Sequence, residues 1–374
     1  MVIILAMLLA GVLFVLQRFF YSRWWNKGIF VTLRFEKEMV QAGEQTRLLE
    51  IVENHKWLPL SSLKVKFQCS KYLEFSDSQN GNVTDKYYRN DLFAVMPYRK
   101  ITRTHQLTCP QRGYYGIDGV NLVGVDLFYS EEMTADMQSS AALYVIPKAM
   151  NAKRLEPAIR KLNGEITARR YELKDPFTFR GIREYAPYDE VKQISWKATA
   201  RTDELKVKEW EHTTASSVRI FMNLEDHSIL RRQELLEMSI SICAGLTMEL
   251  LRQGIRINIY ANAPDCVTGQ FLSLEDLPHL GCMDTVYKSL ARLNIEEGTV
   301  KFREWMKDGL YEGSSLYTIF ISPDQHEDFV EEIKRYEGVA GDGFLWICPV
   351  KTASDQKAEG EFSGGKIIFV EEPS

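Results

Sequence analysis

The chain has 374 residues, of which 45% are hydrophobic, 26% charged and 11% aromatic. That composition excludes a disordered, collagenous or disulfide-scaffold protein, and the length suits about two domains. Lys and Arg number 46 against 51 Asp and Glu, a net charge of -5; a general nucleic-acid binder would need the opposite balance.

The chain opens on an unbroken apolar run, Val2–Leu16, extended by Phe19, Phe20 and Tyr21. With Arg18 reaching the headgroups, residues 2–21 are long enough to cross a bilayer. Trp24 and Trp25 follow where an interfacial aromatic belt belongs. A cleaved signal peptide would carry a basic region before the run and small residues after it. No Lys or Arg precedes Val2, and Gln17-Arg18-Phe19-Phe20 follows the run, so an uncleaved anchor is expected. Arg18, Arg23 and Lys27 lie on its carboxyl side, which predicts a single-pass plasma-membrane protein with its bulk in the cytoplasm.

Between Phe30 and Pro147 the dominant period is two. Val31, Leu33 and Phe35 alternate with polar residues, as do Leu63, Val65, Phe67 and Cys69. Turn signals at Ala42-Gly43, Leu58-Pro59, Asn80-Gly81, Cys109-Pro110 and Arg112-Gly113 separate the runs. Short strands punctuated in this way predict an antiparallel β-sandwich.

After Ser217 strands and helices alternate. Val218–Leu224 reads as a strand buried on both faces. A helix follows with Leu235, Met238, Ile242, Leu246 and Leu250 on one stripe and Gly254 past its end. Ile255–Tyr260, Ser315–Ser322, Phe344–Cys348 and Lys366–Val370 are further strands. Helices are expected at Met283–Leu293, Val300–Met306 and His326–Tyr336. The pattern predicts an open, mainly parallel sheet covered by helices, with any ligand at the carboxyl ends of strands. The loop after Leu224 is the first place to look.

Phe179–Glu211 joins the two domains. Arg169–Glu211 holds ten basic and nine acidic residues, with Tyr185, Trp196 and Trp210 among them. Such balance is unlike a phosphate-tracking stripe. Arg180, Arg183 and Arg201 suit pairing with Asp189, Glu209 or Glu211, either as an ion-pair lattice or as a docking surface.

This segment resembles the signature of the bacterial family called domain of unknown function 58. The residues that carry the resemblance are Phe179, Gly181, Arg183, Tyr185, Asp189, Trp196, Ala200, Arg201, Leu205, Val207 and Glu209. The resemblance implies membrane helices, a β-sandwich and a von Willebrand A-like α/β domain. It also implies a MoxR-type AAA+ ATPase and a transglutaminase-like membrane protein as partners. The chain departs from the family at Tyr188, where a Gly is usual, and at Asp126-Leu127-Phe128-Tyr129, where Asp-Pro-Phe-Gly is usual. It has one apolar helix where many members have two.

Von Willebrand A domains often hold Mg²⁺ through Asp-x-Ser-x-Ser after the first strand. The corresponding residues are Asn223, Glu225 and His227, with Asp226 and Ser228 beside them. An amide and an imidazole degrade the oxygen set that Mg²⁺ prefers. No cofactor is expected, and the loop reads as a helix cap.

The sequence has no phosphate-binding Gly-rich loop, no His-Glu-x-x-His and no Gly-x-Ser-x-Gly. No histidine stands at metal-ligand spacing to another, although His279 and Cys282 are three apart. Cys69, Cys109 and Cys243 read as buried apolar residues. Residues 301–372 carry eight basic and fifteen acidic side chains, read as a solvated face. The expected organisation is an anchor and juxtamembrane segment (1–28), a β-sandwich (29–148), a connecting segment with the signature (149–216) and an α/β domain (217–374). The expected role is a non-enzymatic, membrane-anchored scaffold that docks a partner through Arg180, Gly181, Arg183, Tyr185, Asp189, Trp196, Arg201 and Glu209. A divalent-cation-dependent binding module is the first alternative and an envelope hydrolase the second.

Overall fold

The structure, a computed structural model, describes all residues except 1, 78–80, 173–178, 186–193, 203, 211–216, 228–231, 297, 307–316, 341–342, 357, 359–361, 363–365 and 373–374. Two units separate: Met1–Lys148 with Leu290–Arg292, and Ala149–Ser289 with Leu293–Ser374.

The first unit starts with helix α1 (Val2–Trp24), whose segment Ile3–Trp24 is long and apolar enough to cross a membrane. Lys56 Nζ donates to the carbonyl of Trp24 (2.9 Å) and to that of Trp25, satisfying orphan acceptors at the helix end. Ten strands follow: β1 (Ile29–Phe35), β2 (Met39–Gln41), β3 (Gln45–Asn54), β4 (Leu60–Cys69), β5 (Glu74–Phe75), β6 (Gly81–Val83), β7 (Tyr87–Val95), β8 (Lys100–Thr108), β9 (Gly113–Val125) and β10 (Glu132–Ile146). They form two sheets, ordered β1-β3-β8-β5 and β2-β10-β9-β4-β7-β6. Pairing is antiparallel throughout except for β2 against β10. The alternation read from the sequence is the pleat: Val31, Leu33, Phe35, Leu63, Val65, Phe67 and Cys69 all point into one core.

Tyr21 and Trp25 belong to that same core, at 2% and 4% exposure. Gly124 on β9 makes the seat: a Cβ there would lie 2.4 Å from the indole of Trp25. The Tyr21 hydroxyl donates to the carbonyl of Pro59 at 2.8 Å. The last turns of α1 are therefore part of the sandwich.

The second unit contains α2 (Ala152–Glu172), β11 (Phe179–Glu184), α3 (Trp196–Thr202), β12 (Lys206–Trp210), β13 (Ser217–Met222), α4 (Gln233–Arg252), β14 (Arg256–Pro264), β15 (Phe271–Leu277), α5 (Met283–Arg292), α6 (Phe302–Met306), β16 (Tyr317–Ile321), α7 (Glu327–Ala340), β17 (Phe344–Val350) and β18 (Ile367–Glu371). Its main sheet runs β15-β14-β13-β16-β17-β18, parallel except for the edge strand β15. β16 and β17 are buried at every position, as strands covered on both faces must be. An aromatic cluster that includes Phe221, Phe302, Trp305, Phe320, Phe329, Tyr336, Phe344 and Trp346 joins α6 and α7 to the sheet.

Helix α4 buries the predicted stripe Leu235, Met238, Ile242, Leu246 and Leu250, but also Ser239, Cys243 and Gly245. The extra burial comes from α2, which lies in the stretch read as a connector. Met150 N–H donates to the carbonyl of Ser241 at 2.9 Å, and a Cβ on Gly245 would come within 2.4 Å of the Met150 oxygen. Leu155, Ile159, Leu162 and Ile166 give α2 its own buried stripe.

Candidate metal centre

β13 has β14 on one side and β16 on the other, so the chain reverses direction across the sheet between β13 and β16. A crevice opens at such a switch point beyond the carboxyl ends of the strands. Asn223–His227 leave β13 there, and Ser322–His326 leave β16 beside them.

Asn223 is buried and fully engaged. Its Oδ1 accepts from Glu225 N–H (3.0 Å) and Asn262 Nδ2 (2.9 Å), and its Nδ2 donates to Ser322 Oγ (3.1 Å). Asn262 Oδ1 accepts in turn from Leu224 N–H at 2.7 Å. Asn223 is thus a brace beneath the loop, with its amide oxygen already committed. Asp226 Oδ2 accepts from Arg232 N–H at 2.6 Å, at the start of α4. Ser228 lies outside the described residues.

Above this brace three side chains converge. Glu225 Oε1 lies 3.2 Å from His227 Nε2, and Asp324 Oδ2 lies 3.5 Å from the same nitrogen. One ligand atom from each lies within 4.8 Å of the others. Glu225 is fixed by Phe302 N–H, which donates to Oε2 at 2.9 Å. Asp324 is fixed by Ser322 Oγ, which accepts from its N–H, and by His326 N–H, which donates to Oδ1 at 3.0 Å. The remaining oxygen, Asp324 Oδ2, is buried without a hydrogen bond. Burial pushes the Asp324 carboxyl above its ordinary range, against the hydrogen bond from His326 and the charge of His227. The His326 ring lies 5.1 Å from that of His227. Two carboxylates, one of them with an unsatisfied buried oxygen, and one imidazole fit a divalent cation, with Zn²⁺ or Mn²⁺ suited better than Mg²⁺ by the nitrogen donor. Sequence spacing missed Asp324 and the approach of the two histidines, because β16 supplies them about a hundred residues downstream of β13. Alternation of strands and helices locates the open end of the sheet but does not say which strand lies beside β13.

The family signature forms a separate two-stranded unit. β11 and β12 pair antiparallel, Gly181 opposite Glu209 and Arg183 opposite Val207, with Arg180 at a register irregularity. Tyr185 N–H donates to the carbonyl of Leu205 at 3.0 Å. Trp196 opens α3 and is 64% exposed, and Arg201 near its end is also exposed. Val207 and Ile194 are buried and bridge each other. Asp189, Tyr188 and Glu211 lie outside the described residues, so the predicted Arg–carboxylate pairs to Asp189 and Glu211 do too. Lys206 pairs with Glu184 (3.4 Å) and Glu204 (2.9 Å).

Cys282 Sγ lies 3.9 Å from His279 Nδ1, which accepts from Gly281 N–H at the start of a short turn, Leu280–Cys282. Cys69, Cys109 and Cys243 are buried, and burial pushes their thiols up to about 12. That opposes nucleophilic use of these three.

Residues 181–268 match the family model described as Protein of unknown function DUF58. No curated protein matches the chain. Among solved structures it is similar to E. coli alpha-2-macroglobulin (19% identity, 33% of this chain, 7% of that one, TM-score 0.24). It is also similar to a non-cellulosomal cohesin from Archaeoglobus fulgidus (10% identity, 31% of this chain, 91% of that one, TM-score 0.22). A third is the CARDB domain of the PF1109 protein from Pyrococcus furiosus, solved with di-metal ions (18% identity, 30% and 90% coverage, TM-score 0.19). Likenesses this slight carry no weight for function.

Proposed function

We propose that this chain, a member of the DUF58 family through residues 181–268, is a membrane-anchored, non-enzymatic adaptor. The observation that carries the reading is the burial of Tyr21 and Trp25 in the sandwich core. A signal peptide cleaved behind α1 would empty that seat, so the apolar helix is retained as an anchor. The bulk of the chain faces the cytoplasm, in keeping with Arg18, Arg23 and Lys27 on the carboxyl side of the apolar run. The docking element is the signature unit, with exposed Trp196 and Arg201. A MoxR-type AAA+ ATPase and a transglutaminase-like membrane protein are its partners by family resemblance, an associational warrant. The test is a crosslinked pull-down from native membranes, with ATP and with ADP, using the intact chain and Arg201→Glu. The ATPase is expected with the intact chain and not with the variant. Its absence from both would remove the adaptor reading, and a large loss of stability in Arg201→Glu would assign that residue to the fold.

A second reading, a divalent-cation-dependent binding module, is favoured by the convergence of Glu225, His227 and Asp324 at the switch point. The von Willebrand A-like domain implied by the family resemblance belongs to this reading. In this reading the cation completes the contact with a partner carboxylate, and the two readings merge if the ATPase pull-down needs metal.

A further inference from the structure

Four residues of α1, Phe14, Gln17, Arg18 and Tyr21, make one stripe that Trp25 continues just past the helix end. The first three face the loop between β9 and β10. Phe128 meets Phe14 with ring centroids 5.6 Å apart, Gln17 Nε2 donates to Asp126 Oδ2 at 2.6 Å, and Arg18 Nε donates to Glu131 Oε2 at 2.7 Å. Asp126 also organises the loop itself. It accepts from Ser130 N–H and Ser130 Oγ, and its carbonyl accepts from Tyr129 N–H. The loop so held turns through Tyr129, at φ 56°, and presents Leu127, Phe128 and Tyr129 outward at 47%, 63% and 65% exposure.

The depth of this tip follows from helix length. A span needs about 20 residues, and α1 has 23. The last turn, from Tyr21, is seated in the sandwich, so the residues before it fill the bilayer and its interface, including the turn at Phe14–Arg18. Gln17 and Arg18 would be costly there without partners. Asp126 and Glu131 supply those partners, while the side chains that face outward from the same loop are apolar or aromatic. Charge is turned toward the helix and apolar surface away from it, the arrangement a lipid environment requires.

We propose that Leu127, Phe128 and Tyr129 form a second membrane contact, inserted beside α1 into the acyl and glycerol region of the same leaflet. The inference rests on α1 being a membrane span, and the experiment separates the two. The full chain, carrying Cys266→Ser and Cys282→Ser, is labelled with an environment-sensitive fluorophore at Phe128→Cys, Leu9→Cys or Val83→Cys. It is reconstituted in phosphatidylcholine–phosphatidylglycerol vesicles with and without doxyl-labelled lipid. The expected result is a blue-shifted label at position 128, quenched by doxyl lipid as at position 9, while position 83 on β6 stays aqueous and unquenched. A label at 128 that behaves like the one at 83, with position 9 quenched, overturns the proposal and leaves the span intact. A label at 128 shielded from water but not quenched by lipid also overturns it, assigning the tip to a protein contact. Loss of quenching at position 9 removes the span and the proposal together.

Discussion

The chain builds the same three residue types into a cluster twice, with different counter-charge. In the sandwich, Glu50, Asp91 and His105 converge from β3, β7 and β8, all buried. His105 Nε2 lies 2.9 Å from Glu50 Oε2 and 3.7 Å from Asp91 Oδ2. Arg89 Nε donates to Asp91 at 2.6 Å and Arg103 Nη1 at 3.0 Å, so two guanidinium groups answer that one carboxylate, while Glu50 meets His105 and keeps Oε1 without a hydrogen bond. Those guanidiniums in turn lie over the rings of Phe75 and Phe93. At the switch point of the second unit, Glu225, His227 and Asp324 have, among the described residues, only histidine as a cationic neighbour. Ligand geometry alone does not separate the two clusters; counter-charge does. In the first, the guanidinium groups of Arg89 and Arg103 beside Asp91 already supply the positive charge that a metal would bring, although Glu50 Oε1 is left unsatisfied. The second keeps a deficit of positive charge where the fold opens a crevice.

The largest expected effect breaks the first cluster. Asp91→Ala removes the closest carboxylate of buried Arg89, leaving it only the Asp77 carboxylate, with Oδ2 at 3.4 Å, and should cost about 3 kcal/mol, read by chemical denaturation of the full chain in detergent. A loss below 1 kcal/mol would mean that Asp77 alone suffices for Arg89, and the lattice picture would fall. Next comes the second cluster. Zn²⁺ or Mn²⁺ at a hundred times its Kd should stabilise the intact chain by about 2.7 kcal/mol. The shift should vanish in His227→Ala and in Asp324→Asn, and persistence in both would place the ion elsewhere.

A smaller effect has a sign fixed by titration. Burial raises the Asp324 carboxyl, so the folded chain holds that proton more tightly than the unfolded one does. Its contribution to stability is full below the ordinary carboxylate range, near about pH 4, and is lost as pH rises through the raised value. Asp324→Asn should therefore stabilise the metal-free chain by about 1 kcal/mol at neutral pH. The gain should fade on acidification, and a gain independent of pH would contradict the assigned cause. The smallest effect expected is none: Glu50→Gln should leave the metal-induced shift of the intact chain unchanged.

The sequence made parts of this legible and hid others for physical reasons. Leu63, Val65, Phe67 and Cys69 announce β4 because one face of an antiparallel strand meets the core and the other meets water. Helix α2 carried an equally clear stripe in Leu155, Ile159, Leu162 and Ile166, but Pro157 and a charged surface masked it within the stretch read as a connector. β15 was missed because an edge strand is only partly covered, and its alternation is broken. The loop after Leu224 could be singled out because strand alternation fixes where a parallel sheet opens. Its partner Asp324 could not, since its role depends on which strand becomes the neighbour of β13. The seating of Trp25 was invisible for a different reason: a tryptophan after an apolar run reads as an interfacial belt, and only Gly124 on a distant strand makes it a core residue.

That seat has a mechanical consequence. Trp25 is held against Gly124, and β1 begins at Ile29, so no slack lies between the helix and the sandwich. A flexible tether would let the domain tumble and would absorb a pull as extension. Here the stem is rigid at its base: a tilt of α1 turns the sandwich through the same angle, and in the proposed anchor a load on the sandwich would reach the bilayer undamped.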